Sequence, residues 1–257
     1  MSTTPLAPQN SQIKLNQFLG LVHDSKRIVF FGGAGVSTAS GIPDFRSANG
    51  LYSKTYDSDI SPEKIVSSWC LYEEPELFFS FYKQKLDFST AQPNVIHHAL
   101  AKLEDQGKLS AIVTQNIDGL HQAAGSKKVL ELHGSLRDNY CIKCRETYTA
   151  SQLIKAIEYQ APKCTPLCDC GGTIRPNVTL FGELLNGDVV DNAIKEISIA
   201  DLIIIGGTSL KVYPAAYYIH YRNKSSRLVI VNRDTTDQDS NADIVLNMSL
   251  EEAFGSL

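Results

Sequence analysis

Ile28-Val-Phe-Phe-Gly-Gly-Ala-Gly-Val-Ser-Thr-Ala-Ser-Gly-Ile-Pro-Asp-Phe-Arg46 is the stretch from which the rest of the chain is read. Its first four residues are apolar, rich in β-formers and too few for a helix. They predict a buried strand running into a glycine-rich turn. Glycines let the backbone come close to a ligand, and free N–H groups in such a turn hold phosphate oxygens. Gly33, Gly35 and Gly41 give G-x-G-x5-G, not the dehydrogenase G-x-G-x-x-G. Pro43-Asp44-Phe45-Arg46 follows at once and brings a charged pair and an aromatic ring into the nucleotide loop.

Five further apolar runs share the character of Ile28–Phe31. They are Ala111–Thr114, Val129–Leu132, Leu202–Ile205, Leu228–Val231 and Ile244–Leu246. Each is nearly continuous, as strands buried on both faces must be. Helical spacing precedes the first run at Ile13–His23 and lies between several others, at His97–Glu104, Asp188–Ile199 and Ala215–Tyr221. This alternation predicts an α/β fold with a doubly wound parallel sheet. Ser61-Pro62 predicts a helix start, with helical pattern over Ile65–Trp69 and Pro75–Leu86, and Pro93-Asn94 predicts another. The polar stretch Ser47–Asp59 predicts a loop.

The 257 residues suffice for one large domain, or one domain plus a small module. A net charge of −4 gives no sign of a nucleic-acid or membrane-surface protein. Met1–Gln12 lacks the basic start and apolar core of a signal peptide, and no apolar run is long enough for a membrane span. A polar tail on a cytoplasmic protein is the expectation.

Five of the six cysteines fall between Cys141 and Cys170. Such clustering points to metal rather than to a disulfide framework. Cys141-x2-Cys144 is a strong half-site for zinc. The second half is irregular, because Cys164, Cys168 and Cys170 compete for two places. Cys168 and Cys170 are favoured, with Cys164 in reserve. Four thiolate ligands leave no open position, so the zinc is structural. Cys70 reads as a core residue.

Ligands in doubly wound sheets bind at the carboxyl ends of strands. There the chain carries Gln115-Asn116-Ile117-Asp118, His133-Gly134, Gly207-Thr208-Ser209-Leu210 and Asn232-Arg233-Asp234. His133 is the group able to take a proton near neutral pH without a large pKa shift, with His121 as the alternative. His97, His98 and His220 lie in helical patterns and read as surface or core residues.

Taken together these motifs resemble a sirtuin, an NAD-dependent protein-lysine deacylase. The likeness is carried by Gly33–Arg46, Thr114-Gln-Asn-Ile-Asp-Gly-Leu-His121, Leu132-His-Gly134, the cysteine module with Arg175-Pro176, Phe181-Gly-Glu183, Gly207-Thr-Ser209 and Val231-Asn232. They run in family order from about residue 12 onward, in the compact form of bacterial members.

The resemblance implies a Rossmann-like domain over 12–46, 87–134 and 177–257, after a disordered tail over 1–11. It implies a helical insertion over 47–86 and a zinc-ribbon insertion over 135–176. NAD and an acyl-lysine peptide would meet between the domains, with NAD consumed as co-substrate. The acyl oxygen would attack C1′ of the nicotinamide ribose, and the 2′-hydroxyl would then attack the imidate. The products would be free lysine, nicotinamide and O-acyl-ADP-ribose.

In that scheme His133 would be the general base, with Asn116 and Asp118 shaping the nicotinamide pocket. Phe45 would cover C1′, and Arg46 would meet pyrophosphate or ribose. Gly33, Ala34, Gly35, Thr38, Ala39, Asp44, Gln115, Ile117, Gly207, Thr208, Ser209, Asn232, Arg233, Asp234 and Ala242 would complete the cofactor site. Thr179, Phe181, Gly182, Glu183, Leu210 and Val212, with Phe45, would bind the acyl-lysine peptide as an added strand. The family's Tyr-x-x-Arg pair for succinyl groups is missing after Arg46, which implies acetyl or other uncharged acyl groups. Other readings are ADP-ribosyl transfer to protein and a non-catalytic NAD-sensing module. Hydride transfer fails on the loop spacing.

Overall fold

The computed structural model describes residues 7–44, 50, 60–160 and 163–257. The strands are β1 Ile28–Gly32, β2 Leu109–Thr114, β3 Val129–Glu131, β4 Gly134–Cys141, β5 Thr147–Thr149, β6 Ile174–Val178, β7 Leu202–Gly206, β8 Arg227–Val231 and β9 Ile244–Leu246. The α-helices are α1 Ala7–Asp24, α2 Pro62–Ile65, α3 Ser68–Glu73, α4 Pro75–Phe81, α5 Val95–Asp105, α6 Leu120–Ala123, α7 Ala150–Tyr159, α8 Gly187–Ile199 and α9 Leu250–Phe254.

Six strands form one parallel sheet in the order β3-β2-β1-β7-β8-β9. The order reverses between β1 and β7, and such a switch point opens a crevice at the strand ends. The period of two along each strand assigns its side chains to two cores. Phe30, Ile112, Ile204 and Val229 face one core, filled by Phe18 of α1, Leu100 of α5 and Phe254 of α9. Phe31, Val113, Ile205 and Ile230 face the other, filled by Ile197 of α8 and by Ile219. This double burial is why the strands read as unbroken apolar runs. Truncating a fully buried ring such as Phe30 to alanine costs about 3–5 kcal/mol.

A second, antiparallel sheet has the order β5-β4-β6. Helix α7 follows β5 and starts in a capping box, where the Thr149 and Gln152 side chains cap each other's backbone N–H. Its Leu153 and Ile157 share one core with Phe78, Phe79 and Phe81 of α4 and with Ile174 of β6. The helical segment and the cysteine segment, far apart in sequence, thus pack as one body.

Two expectations are corrected. Helix α1 begins at Ala7, so the tail expected over 1–11 is helical from residue 7. The run Gln9-Asn10-Ser11 is polar and carries no apolar period, which hid these turns. The helical pattern over Ile65–Trp69 is broken at Val66. Ser67 ends one helix and caps the next: its Oγ donates to Lys64 O at 2.6 Å and accepts from Cys70 N at 3.3 Å. The start at Ser61-Pro62 is as read, with Ser61 Oγ accepting from Lys64 N. The stretch expected as a loop, 47–59, lies outside the described residues except for Gly50.

Candidate active site

The loop after β1 packs backbone against backbone on the loop after β7. Gly33 N donates to Gly206 O at 3.2 Å, and Gly35 N to Gly207 O at 2.8 Å. A Cβ on Gly35 would lie 2.7 Å from Gly207 Cα, and one on Gly207, at φ +62°, would lie 2.6 Å from Val36 N. These glycines therefore serve close approach between two loops. That corrects the expectation of free amides at Gly33 and Gly35, since both N–H groups already have protein partners.

Ser37, which the sequence reading passed over, joins the next two site residues. Its Oγ donates to Asp118 Oδ2 at 2.7 Å and accepts from Asn116 Nδ2 at 3.1 Å. Asp118 Oδ1 accepts from Leu120 N at 2.9 Å. Thr114 Oγ1 accepts from Asn116 N at 3.0 Å, which turns the chain sharply after β2. Burial raises the Asp118 pKa, and the Leu120 N–H and the Ser37 hydroxyl oppose that rise. Asn94 caps α5 through Ile96 N, and its Nδ2 holds Val36 O at 2.8 Å and Ser40 Oγ at 2.9 Å. The loop carrying Ser37 is thus pinned from both ends.

His133 follows β3. Its Nδ1 lies 2.9 Å from Gln115 O. A carbonyl only accepts, so Nδ1 carries the proton and Nε2 keeps its lone pair. Burial lowers the His133 pKa, offset in part by this bond, so the ring is neutral at pH 7. The backbone is held as firmly, with His133 O accepting from Thr179 N at 2.8 Å. Gly134, at φ +76°, allows the crossing: a Cβ there would lie 2.1 Å from Asn177 O.

Gly35, Asn116, His133, Thr179 and Gly207 line one cavity of about 530 Å3 at the carboxyl ends of the parallel strands. Of the residues expected in the cofactor site, Ala34, Gly35, Thr38, Asp44, Gln115, Asn116, Ile117, His133, Gly207, Thr208, Ser209, Asn232, Arg233 and Asp234 line it. So do Thr179, Phe181, Gly182, Glu183 and Val212 of the expected peptide site. Asp118 is not a lining residue, and Ser37 links it to Asn116, which is. Phe45 and Arg46 lie outside the described residues.

Other expected residues are elsewhere. Gly33, Ala39, Leu210 and Ala242 are not among the cavity-lining residues. Ala39 is exposed, Leu210 is buried in the core under β7, and Ala242 packs on that same core. His121, the alternative base, is buried against the His97 ring at 4.8 Å and does not line the cavity. The carboxylate of Glu183 is committed to Arg175, at 2.6 and 3.0 Å, and to Leu180 N at 2.9 Å. It shapes the 178–183 turn. The Thr179 N–H is likewise taken by His133.

Sequence reading missed the apolar wall formed by Val66, Leu86, Val178, Leu180 and Leu185. These positions carry no motif, and Val66 and Leu86 reach the cavity only through the packing of the helical insertion. Gln115 Nε2 is buried and, among the described residues, has no hydrogen-bond partner. A donor left open at a cavity wall, beside three loops in close backbone contact, fits a bound nucleotide.

The sulfur atoms of Cys141, Cys144, Cys168 and Cys170 lie within 4.8 Å of one another, with two pairs at 3.5 Å. Tetrahedral Zn–S bonds of about 2.3 Å place sulfurs about 3.8 Å apart, so the set fits zinc. Cys164 is outside the set. Gly172 makes room for it: a Cβ there would lie 2.6 Å from Cys141 Sγ. Among the described residues no helix is long and apolar enough to cross a membrane.

Comparison with known proteins places this architecture. The model of the Sir2 family matches residues 33–214. The NAD-dependent protein deacetylase of Clostridium perfringens is 50% identical over 244 residues, covering 95% of this chain and 98% of that protein. That of Clostridium acetobutylicum is 49% identical over 237 residues, covering 92% and 95%. Among solved structures, a Sir2 protein with a deacetylated p53 peptide and 3′-O-acetyl ADP-ribose matches with a TM-score of 0.86 at 42% identity, covering 94% of this chain and 96% of that one. A Sir2 complex with p53 peptide and NAD+ matches at 0.83 and 41%, with the same coverage. On sequence, sheet order, cleft and cysteine cluster alike, the chain belongs to the Sir2 family, the sirtuins.

Proposed function

We infer that the chain is an NAD-dependent protein-lysine deacylase. The observation that carries the reading is His133 at the wall of the cavity, its Nδ1 locked by Gln115 O so that Nε2 keeps the lone pair. NAD supplies the ADP-ribose that accepts the acyl group, leaving free lysine, nicotinamide and O-acyl-ADP-ribose.

The residues divide the work by position. Ala34, Thr38, Thr208 and Ser209, with Asn232 to Asp234 after β8, hold the nucleotide along the strand ends. Asn116 and Asp118, fixed to each other by Ser37, hold the nicotinamide end. His133 Nε2 takes the proton of the ribose hydroxyl that attacks the acyl group, a role typically worth ~10²–10⁴ in rate. Phe181 and Val212 flank the acyl-lysine, and the apolar wall admits acetyl and other uncharged acyl groups. Phe45 and Arg46 keep their sequence-based roles: covering C1′ and meeting pyrophosphate or ribose.

Zinc at Cys141, Cys144, Cys168 and Cys170 ties β4 to the turn before β6 and has no open position for chemistry. Thiolate ligands require reduced cysteines, and all six are free of disulfides. This suits a cytoplasmic location. The test is release of nicotinamide from NAD that depends on an acetyl-lysine peptide. His133→Ala should lower turnover by ~10²–10⁴. Unchanged turnover in that variant would sink the assignment.

A further inference from the structure

The connection between β7 and β8 runs from the cleft to the opposite edge of the sheet. It leaves the carboxyl end of β7, where Tyr213 and Pro214 line the cavity, and returns at the amino end of β8. Between them the 3₁₀ helix Ala215–Tyr221 buries Ala215, Ala216, Tyr218 and Ile219. Its other face holds Tyr217 and Tyr221, 53% and 48% exposed, after Tyr213 at 69%. Tyr217 and Tyr221 meet edge to face at 6.2 Å, and Tyr217 and His220 lie 5.0 Å apart. Aromatic rings lose little conformational freedom on binding and are the usual anchors of an interface.

His220 also lines a second cavity, of about 280 Å3, with Arg222, Lys224 and Gln238. The Arg222 guanidinium is fixed there by Ser226 O at 3.0 Å and Asn241 O at 3.4 Å. Among the described residues no carboxylate lies within ion-pair distance of Arg222 or Lys224. The residues lining this second cavity include Arg222 and Lys224 and no carboxylate. Its position at the amino ends of β8 and β9 separates it from the cofactor cleft.

We propose that the Tyr213–Tyr217–Tyr221 row and the His220–Arg222–Lys224 pocket form a docking track for the protein substrate, reading an acidic residue at a distance from the acyl-lysine. The proposal rests on the deacylase reading. Tyr213 lines the cleft and lies four residues before Tyr217 in the chain, which makes the occupant a polypeptide already held by its acyl-lysine. The seven residues of the 3₁₀ helix span about 14 Å at ~2 Å per residue. An extended peptide covers that in about four residues at ~3.3 Å each, and reaching the pocket past Tyr221 adds about one or two more.

The experiment compares acetyl-lysine peptides carrying Glu-Glu or Gln-Gln four to six residues before, or after, the acetyl-lysine. One of the two Glu-Glu peptides should have a KM about five- to tenfold below its Gln-Gln partner at equal kcat, an advantage that shrinks as salt is raised. In Lys224→Glu, with thermal unfolding showing the fold intact, the ratio should fall to about one, and Tyr217→Ala should reduce it. Equal KM values on both sides, or an advantage that survives Lys224→Glu, would overturn the track. Failure of the deacylase reading looks different: no peptide would be turned over.

Discussion

Ser37 Oγ sits 2.7 Å from Asp118 Oδ2 and 3.1 Å from Asn116 Nδ2, so one hydroxyl joins the loop after β1 to the loop after β2. The hydroxyl is buried and reaches the cavity only through Asn116. Ser37→Ala would leave a buried carboxylate and a buried amide each short of a partner, at about 1–3 kcal/mol. It would also raise the Asp118 pKa further, since the Ser37 bond opposes the effect of burial. The expected outcome is about a 10- to 100-fold lower kcat/KM for NAD. The limb of the pH profile that reports Asp118 should move upward. A profile and kcat/KM equal to those of the parent would show that Ser37 positions nothing.

The zinc set predicts distinct behaviour for five neighbouring cysteines. Cys141→Ser or Cys168→Ser should drop zinc from one per chain toward none and loosen the β4–β6 sheet, lowering the unfolding temperature and activity together. Cys164→Ser should keep its zinc, because its sulfur lies outside the cluster. Zinc analysis of the purified variants decides this, and loss of metal in Cys164→Ser would contradict the assignment.

Acid sensitivity follows from the buried histidine pair. His97 and His121 pack ring to ring at 4.8 Å, and His121 has no hydrogen-bond partner for either ring nitrogen among the described residues. Burial first, then charge repulsion from His98 and from His97 respectively, lowers their pKa values to about 4 and about 3. The folded state therefore binds fewer protons than the unfolded chain, whose histidines titrate near 6.5. The stability they contribute is fully present above pH 6.5 and is lost as pH falls toward 4 and 3. Denaturant unfolding at pH 7 and pH 5 should show that loss, and His121→Phe should make it smaller. Equal losses in the two proteins would point to other groups.

The glycine loop shows how far the sequence carried and where it stopped. A β-rich run followed by small residues was enough to place β1 and the cleft, because double burial leaves an unbroken apolar signature. The use of those glycines was misread. Gly33 and Gly35 hydrogen-bond to Gly206 and Gly207, residues some 170 positions away that no local pattern could pair with them. Ser37 was overlooked for the same reason: its partners lie on another strand end. Strand β4 reads Gly-Ser-Leu-Arg-Asp-Asn-Tyr-Cys, too polar to signal a strand, because its sheet is only partly covered. The cysteine cluster, by contrast, was legible from spacing, since a metal knuckle is a local structure, while the choice of Cys168 and Cys170 over Cys164 was settled by the sulfur positions.

The central claim is that His133 serves acyl transfer onto the ADP-ribose of NAD, with nicotinamide leaving. The most direct measurement follows NAD and an acetyl-lysine peptide over time by mass spectrometry. The account predicts nicotinamide, deacetylated peptide and O-acetyl-ADP-ribose in equal amounts, with no NADH formed, and a rate ~10²–10⁴ lower in His133→Ala. Its acid limb should lie below the ordinary 6.5 of histidine, the direction in which burial moves His133. A peptide that stays acetylated while NAD is intact, or that gains ADP-ribose with its acetyl group still in place, would contradict it.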